Sequence, residues 1–245
     1  MGATGTGKSR LSVDLATHFR GEIINSDKMQ VYKGLEIVTN KITHTEKQGE
    51  IEPVQTSHLK IFVYKLFVYI EKILKTQRVP IIVGGSNSYI EKLVEDHVFM
   101  FKYKYDSCFI WIDVEQSVLN RRVDMRVDQM VNAGLVDEVR QIFIPNANYT
   151  KGIRRSIGVP EMDIYLREET NIDGDDESKQ MILQASISSI KRNTRMLICN
   201  QLDKIKRLIS EKIGLCIILL LRSFSKKIEK KILTKHGQIL FCNHA

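Results

Sequence analysis

Apolar residues recur along this 245-residue chain in two rhythms, and the change of rhythm divides it. Near the start, Leu11, Val13, Leu15, Ala16 and Phe19 fit one face of an amphipathic helix. Glu22-Ile23-Ile24-Asn25 reads as a short strand running into polar Ser26-Asp27-Lys28. Between Ile61 and Leu74, Phe62, Leu66, Val68, Tyr69 and Ile73 suit a helix despite several β-branched members. Val79-Pro80-Ile81-Ile82-Val83 is a buried strand closed by Gly84-Gly85, and Phe109-Ile110-Trp111-Ile112-Asp113 is another. Strands separated by helices imply a parallel sheet covered on both faces. From Glu115 the spacing turns helical: Leu119, Val123, Val127, Met130 and Val131, then Leu135, Val139, Ile142 and Phe143 after Gly134. Ser178 to Ile209 repeats that pattern, with Ile182, Ala185, Ile190, Leu197, Ile198, Ile205 and Leu208. Polar Asn171 to Glu177 reads as the loop between.

The expected fold is therefore α/β: a parallel sheet flanked by helices, P-loop NTPase-like given Gly2-Ala3-Thr4-Gly5-Thr6-Gly7-Lys8-Ser9 at its start, followed by a mainly helical C-terminal part. Residues 1–113 form the α/β core, 114–212 a helical part packed on it, and 213–245 a divergent basic tail. The apolar run Ile213 to Leu221 is far short of the ~18 residues that cross a bilayer, and reads as a buried strand or short helix. No membrane association is expected.

Charge changes the picture only once it is located. The net charge is +8, but thirteen Lys/Arg and three Asp/Glu between Lys191 and Lys235 give that stretch +10 and leave −2 elsewhere. The basic character is local, and such a run is more often a solvated helix face than a nucleic-acid surface. Cys108, Cys199, Cys216 and Cys242 form no Cys-x-x-Cys pair, so neither a zinc knuckle nor a disulfide framework is indicated. A reducing intracellular compartment is expected.

The chemistry begins at the N-terminus. Gly2-Ala3-Thr4-Gly5-Thr6-Gly7-Lys8-Ser9 matches the phosphate-binding P-loop in all eight positions and opens a helix. Its glycines let backbone N–H groups close around phosphate oxygens, and the helix N-terminus adds the positive end of its dipole. Lys8 supplies mobile positive charge, and the Ser9 hydroxyl is positioned to ligate Mg²⁺, the expected cofactor. A P-loop normally follows a strand. Here only Met1 precedes it, so the first strand is expected to be missing.

The segments beyond the P-loop give it a context. Asn25-Ser26-Asp27-Lys28-Met29-Gln30-Val31-Tyr32-Lys33-Gly34 with Ile37-Val38-Thr39-Asn40-Lys41, then Pro80-Ile81-Ile82-Val83-Gly84-Gly85-Ser86-Asn87-Ser88-Tyr89-Ile90, resemble the isopentenyltransferase family. So do Arg126-Val127-Asp128-Gln129-Met130 with Gly134-Leu135, and the block from Gly152 to Met162. The Ser-Asn-Ser-Tyr form of the glycine block looks like plant adenylate isopentenyltransferases.

The resemblance implies transfer of the isopentenyl group from dimethylallyl diphosphate to N6 of an adenine in AMP, ADP or ATP, the first step of cytokinin synthesis. The P-loop would then hold a leaving diphosphate, with no phosphoryl transfer. Asp27 occupies the family's general-base position, although a strand-end turn is the bland reading of such an Asp. Arg126 matches an arginine that contacts the diphosphate, and Thr39 and Lys41 match substrate-channel positions. Ser86, Asn87 and Ser88 follow two glycines at a strand end, where a loop approaches a ligand closely. Arg154 and Arg155 have guanidinium forks suited to a nucleotide phosphate. The resemblance implies a monomer in the plastid, or in the cytosol if no transit peptide precedes Met1.

Two departures keep alternatives open. The family's Pro-His-His-Leu-Leu segment is absent, Gly49 running directly into Glu50-Ile51-Glu52-Pro53, and His58 is not its equivalent. From Gly214 onward the family's ending is not followed. A sister activity would place the adenine in tRNA, with the base flipped from its stack. Its eukaryotic enzymes commonly carry a C-terminal zinc module, whereas Cys242 and His244 here stand alone. A phosphate-transferring kinase fits the P-loop but not the blocks around Asp27 and Ser86. A degraded or misassembled remnant that only binds nucleotide or diphosphate is the remaining alternative.

Overall fold

The first helix, α1 (Lys8–Phe19), ends where Arg20 turns left-handed at φ 50° and its N–H closes on the Ala16 carbonyl. The chain then enters β1 (Gly21–Asn25), whose Ile23 and Ile24 are buried. This is a computed structural model, and it describes residues 1–30, 32–41, 50–51, 59–95, 101–169, 176–211, 213, 216–221, 228–233 and 239–241. The segments around Gly49, Pro53 and His58 and most of the 171–177 loop lie outside the described residues.

β1 is flanked in parallel by β2 (Glu50–Ile51) and, past α2 (Leu59–Lys75), by β3 (Val79–Val83). Asn25 stands opposite Val83, so both strands end level and their loops emerge side by side. Pro80 can sit in β3 because β3 is an edge of this sheet among the described residues, where a missing N–H breaks no ladder. Helix α2 buries Val63, Leu66, Phe67, Ile70 and Ile73 at three- and four-residue spacing, each contributing roughly 1.5–3 kcal/mol. They form one core with Ile24, with Tyr89 and Leu93 of α3 (Asn87–Glu95), and with Phe101 of α4 (Phe101–Lys104).

The next strand, β4 (Phe109–Val114), belongs to a second sheet. Helices α5 (Gln116–Asn132), α6 (Leu135–Ile142), α7 (Asp163–Glu169) and α8 (Asp176–Glu211) follow, with two short 3₁₀ turns at Gly152–Arg155 and Pro160–Met162. The helical pattern expected from Glu115 to Phe143, resuming after Gly134, is two helices, and Gly134 takes φ 100° as the N-cap of α6. α8 extends the expected 178–209 helix at both ends, with Asp176 and Glu177 in its first turn.

The terminal stretch differs from a tail. β5 (Cys216–Leu221) pairs in parallel with β4, so the 216–221 part of the apolar run is a strand, and β6 (Ile228–Leu233) and β7 (Ile239–Phe241) add antiparallel strands. This second sheet is thus mixed, while β1, β2 and β3 pair in parallel as expected.

No strand precedes α1 among the described residues. Met1 alone takes a place on the β4 edge: its amine donates to the Ile110 carbonyl, and its own carbonyl accepts from Ile112 N at 2.9 Å. Burial, aided by Lys8, holds this amine down from 8.0 to about 5.

The chain divides into two compact units, neither continuous in sequence: residues 1–31, 42–119 and 198–245, and residues 32–41 and 120–197. The second has its own core of Leu35, Val38, Val127, Leu135, Val139, Met162, Leu166 and Ile190. Glu138 of α6 pins the 32–41 segment to it, accepting from Ile37 N at 2.9 Å and Val38 N at 2.8 Å. Among the described residues, no helix is long and apolar enough to cross a membrane.

Two predictions follow from these contacts. Glu138→Ala leaves two amides without their acceptor and should cost about 2–4 kcal/mol in urea unfolding, with Glu138→Gln milder. The Met1 amine binds a proton more readily unfolded than folded, so between pH 5 and 8 its contribution to stability rises with pH, by at most about 4 kcal/mol. Urea midpoints of the chain beginning at Met1 should climb from pH 5.5 to 8. A flat or falling midpoint would contradict the buried amine.

Candidate active site at the strand ends

The P-loop curls ahead of α1 through Gly5 at φ 83° and Gly7 at φ 86°, conformations that favour glycine. Thr6 is buried, and its Oγ1 donates to the Ala3 carbonyl at 2.9 Å. Lys8 Nζ donates to the same carbonyl at 2.6 Å. Gly2 has no room for a side chain: a Cβ there would stand 2.6 Å from Thr6 Oγ1 and 3.2 Å from Ile112 O. The result is a tight loop whose helix end offers backbone N–H groups and dipole to an anion.

Beside it runs the loop after β1. Ser26 is buried, its N and Oγ donating to the Val83 carbonyl at 2.7 and 3.1 Å, so β1 and β3 stay joined past their ends. Asp27 N donates to Asn25 Oδ1 at 2.9 Å, and Asp27 Oδ1 accepts from Met29 N at 2.9 Å. The strand-end turn expected as the bland reading of Asp27 therefore exists, but it occupies one carboxylate oxygen. The other, Oδ2, lies 3.3 Å from the place where a Cβ on Gly85 would stand.

The loop after β3 completes the group. Gly84 lies so close to Ser26 and Asp27 that a Cβ would meet Ser26 Oγ at 2.3 Å, Ser26 C at 2.7 Å and Asp27 N at 2.9 Å. Ser86, buried, accepts from Lys28 N at 2.9 Å, fixing the two loops side by side. Asn87 is buried and opens α3, its Nδ2 donating to the Gln201 carbonyl at 3.2 Å, with Ser88 half-buried beside it.

Gln201, in α8, carried no sequence signal. Its Oε1 accepts from Thr4 N at 2.8 Å, and its Nε2 donates to Gly85 O at 3.0 Å. It stands in a basic stretch of helix where nothing marks one glutamine as special.

The remaining expected residues belong to the second unit. Thr39 Oγ1 donates to Leu35 O at 2.7 Å. Lys41 Nζ donates to Tyr32 O, Gly34 O and Glu36 Oε1 at 2.6, 2.9 and 2.8 Å, so its ammonium is held within the 32–41 segment. Arg126 lies on α5 with its Nε buried; burial, then Arg122 one turn away, holds its guanidinium below the ordinary value. Arg154 has a buried Nε, while Arg155 is exposed.

Ser9 is half-buried in the first turn of α1. A lone neutral hydroxyl fits Mg²⁺ as P-loops use it, with most ligands coming from phosphate oxygens and water. Among the described residues, no group of three or more His, Cys, Asp or Glu could hold a metal by itself.

The model of the IPP transferase family matches residues 30–104 and 100–207. The chain belongs to this family. Adenylate isopentenyltransferase 5, chloroplastic, of Arabidopsis thaliana is 51% identical to it over 217 residues, 85% of this chain. Adenylate isopentenyltransferase 7, mitochondrial, of the same plant is 49% identical over 216 residues, again 85% of the chain. This member of the IPP transferase family spans 65% of the length of each, just under two thirds. Its fold is also that of a eukaryotic dimethylallyltransferase acting on tRNA, with a TM-score of 0.71 at 23% identity, covering 92% of this chain and 73% of the other.

The closest approach in the site generates its prediction. Gly84→Ala places a methyl group against Ser26 and Asp27 backbone atoms that cannot rotate away. It should cost about 3 kcal/mol of stability in thermal or urea unfolding.

Proposed function

We propose that this chain transfers the dimethylallyl group of dimethylallyl diphosphate to N6 of the adenine in AMP, ADP or ATP, the first step of cytokinin synthesis. One observation carries the reading: in a single unit, an anion-binding helix end is tied to a loop that presents the Asp27 carboxylate. Kinship with two proteins named adenylate isopentenyltransferase, each about half identical, supports it.

In this reaction N6 attacks C1 of the allyl group, the C1–O bond breaks with its electron pair leaving on diphosphate, and N6 gives up a proton. The negative charge that builds on diphosphate meets the loop amides, the positive end of α1 and Lys8. Asp27 takes the proton through Oδ2, since Oδ1 is engaged by Met29 N. Mg²⁺, when bound to the diphosphate, would supply further positive charge, with the Ser9 hydroxyl as its protein ligand. The loop of Ser86, Asn87 and Ser88 lines the nucleotide side, and the chain acts as a monomer; its place in an organelle is supported by the chloroplastic and mitochondrial names of its relatives.

Incubation with labelled dimethylallyl diphosphate and, separately, AMP, ADP, ATP or unmodified tRNA tests this. Prenylated nucleotide is expected. Prenylated tRNA alone would replace the acceptor, and retained diphosphate binding without any product would mark a binding remnant. Asp27→Asn keeps an acceptor for Met29 N and removes the base, so kcat should fall about 100-fold or more while donor affinity stays within about threefold. Lost donor binding with unchanged kcat would sink the general-base assignment.

A further inference from the structure

Gln201 touches three loops at once. Its side chain accepts from Thr4 N at 2.8 Å and donates to Gly85 O at 3.0 Å, and its main-chain carbonyl accepts from Asn87 Nδ2 at 3.2 Å. The chemistry of the partners dictates the side chain, because an amide N–H can only donate and a carbonyl only accept. One carboxamide, in one orientation, satisfies both. Glutamate would keep the bond to Thr4 but turn a carboxylate oxygen onto the Gly85 carbonyl. Methionine would keep the length and lose both bonds.

Gly85 is where Gln201 and Asp27 come near each other. A Cβ at Gly85 would stand 3.1 Å from Gln201 Nε2 and 3.3 Å from Asp27 Oδ2, so both side chains close on the same face of this glycine. Gly84 seats against the backbone of Ser26 and Asp27, and Ser86 Oγ holds Lys28 N. The Asp27 loop therefore moves with the glycine loop, and the glycine loop is tied to the P-loop through Gln201. α8 is a 36-residue helix, a stiff element from which to hold both.

On the reading of the site given above, we infer that Gln201 is a positioning residue. It fixes the distance between the loop that holds the donor diphosphate and the carboxylate that takes the acceptor's proton. It touches neither substrate; it acts through Thr4 and Gly85. Misplacement of reacting groups by about 1 Å can cost on the order of 100-fold in rate, so its removal should act on kcat more than on folding.

The test compares wild type, Gln201→Met and Gln201→Glu by amide hydrogen exchange, pyrophosphate titration in Mg²⁺ and steady-state kinetics, with thermal midpoints recorded for each. Gln201→Met should speed exchange in peptides covering residues 2–8 and 83–88 and leave α2 unchanged. Its kcat should fall about 10- to 100-fold, and its thermal midpoint should stay within a few degrees. Gln201→Glu should keep exchange at residues 2–8 near wild type and loosen only 83–88, a split that a general loss of stability would not produce. Unchanged exchange in both peptides, or unchanged kcat, overturns the inference, as does a loss of activity that merely tracks the folded fraction. If wild type itself makes no prenylated product, the proposed activity fails on its own. The inference is then judged by pyrophosphate: about fivefold or more weaker binding in Gln201→Met supports it, and equal binding overturns it.

Discussion

Two parallel strands that end level, with a bare glycine where their loops meet most closely, are the constraint on which the site depends. Asn25 faces Val83 in the ladder, and Ser26 continues the pairing by donating twice to the Val83 carbonyl. Loops leaving the carboxyl ends of parallel strands form the crevice where α/β proteins bind ligands. Here the crevice is narrow, because Gly84 rests on Ser26 and Asp27 at distances that exclude a methyl group. Asp27 has a fixed position only because β1 and β3 have a fixed register. Ile24 packed against α2 helps to keep that register from slipping, since a one-residue shift would take it out of the cluster it forms with that helix.

What could be read in the sequence was local. The P-loop announces itself because a phosphate cradle needs glycines at set intervals and a lysine and hydroxyl at its end. The glycine pair after β3 and the apolar spacing of α2 are of the same kind, and both stand where they were expected. Gln201 and Glu138 were invisible for the opposite reason. Each gains its role from partners about a hundred or more residues away, and a lone polar residue on a helix looks the same whether it faces water or a loop amide.

Lys41 shows what a local pattern leaves out. Its place after Thr39 and Asn40 matched a substrate-channel position, and the pattern gave no sign that its ammonium also closes on three oxygens of the 32–41 segment. The terminal strands show the converse. A basic, unfamiliar stretch reads as a tail because charge dominates its composition, but the apolar residues of β5 find a partner in β4. Pairing between strands distant in sequence cannot be read from either strand alone.

Lys8 carries a consequence for the rhythm of turnover. Its ammonium rests on the Ala3 carbonyl at 2.6 Å, within the loop it serves. An arriving anion therefore shares the ammonium's three N–H donors with that carbonyl, and a donor taken from the carbonyl counts only as the difference between two charge-assisted hydrogen bonds. A loop that can reclaim its own cation lets the spent anion go. For an enzyme that would finish each cycle holding a diphosphate, easy departure of the product matters as much as its capture.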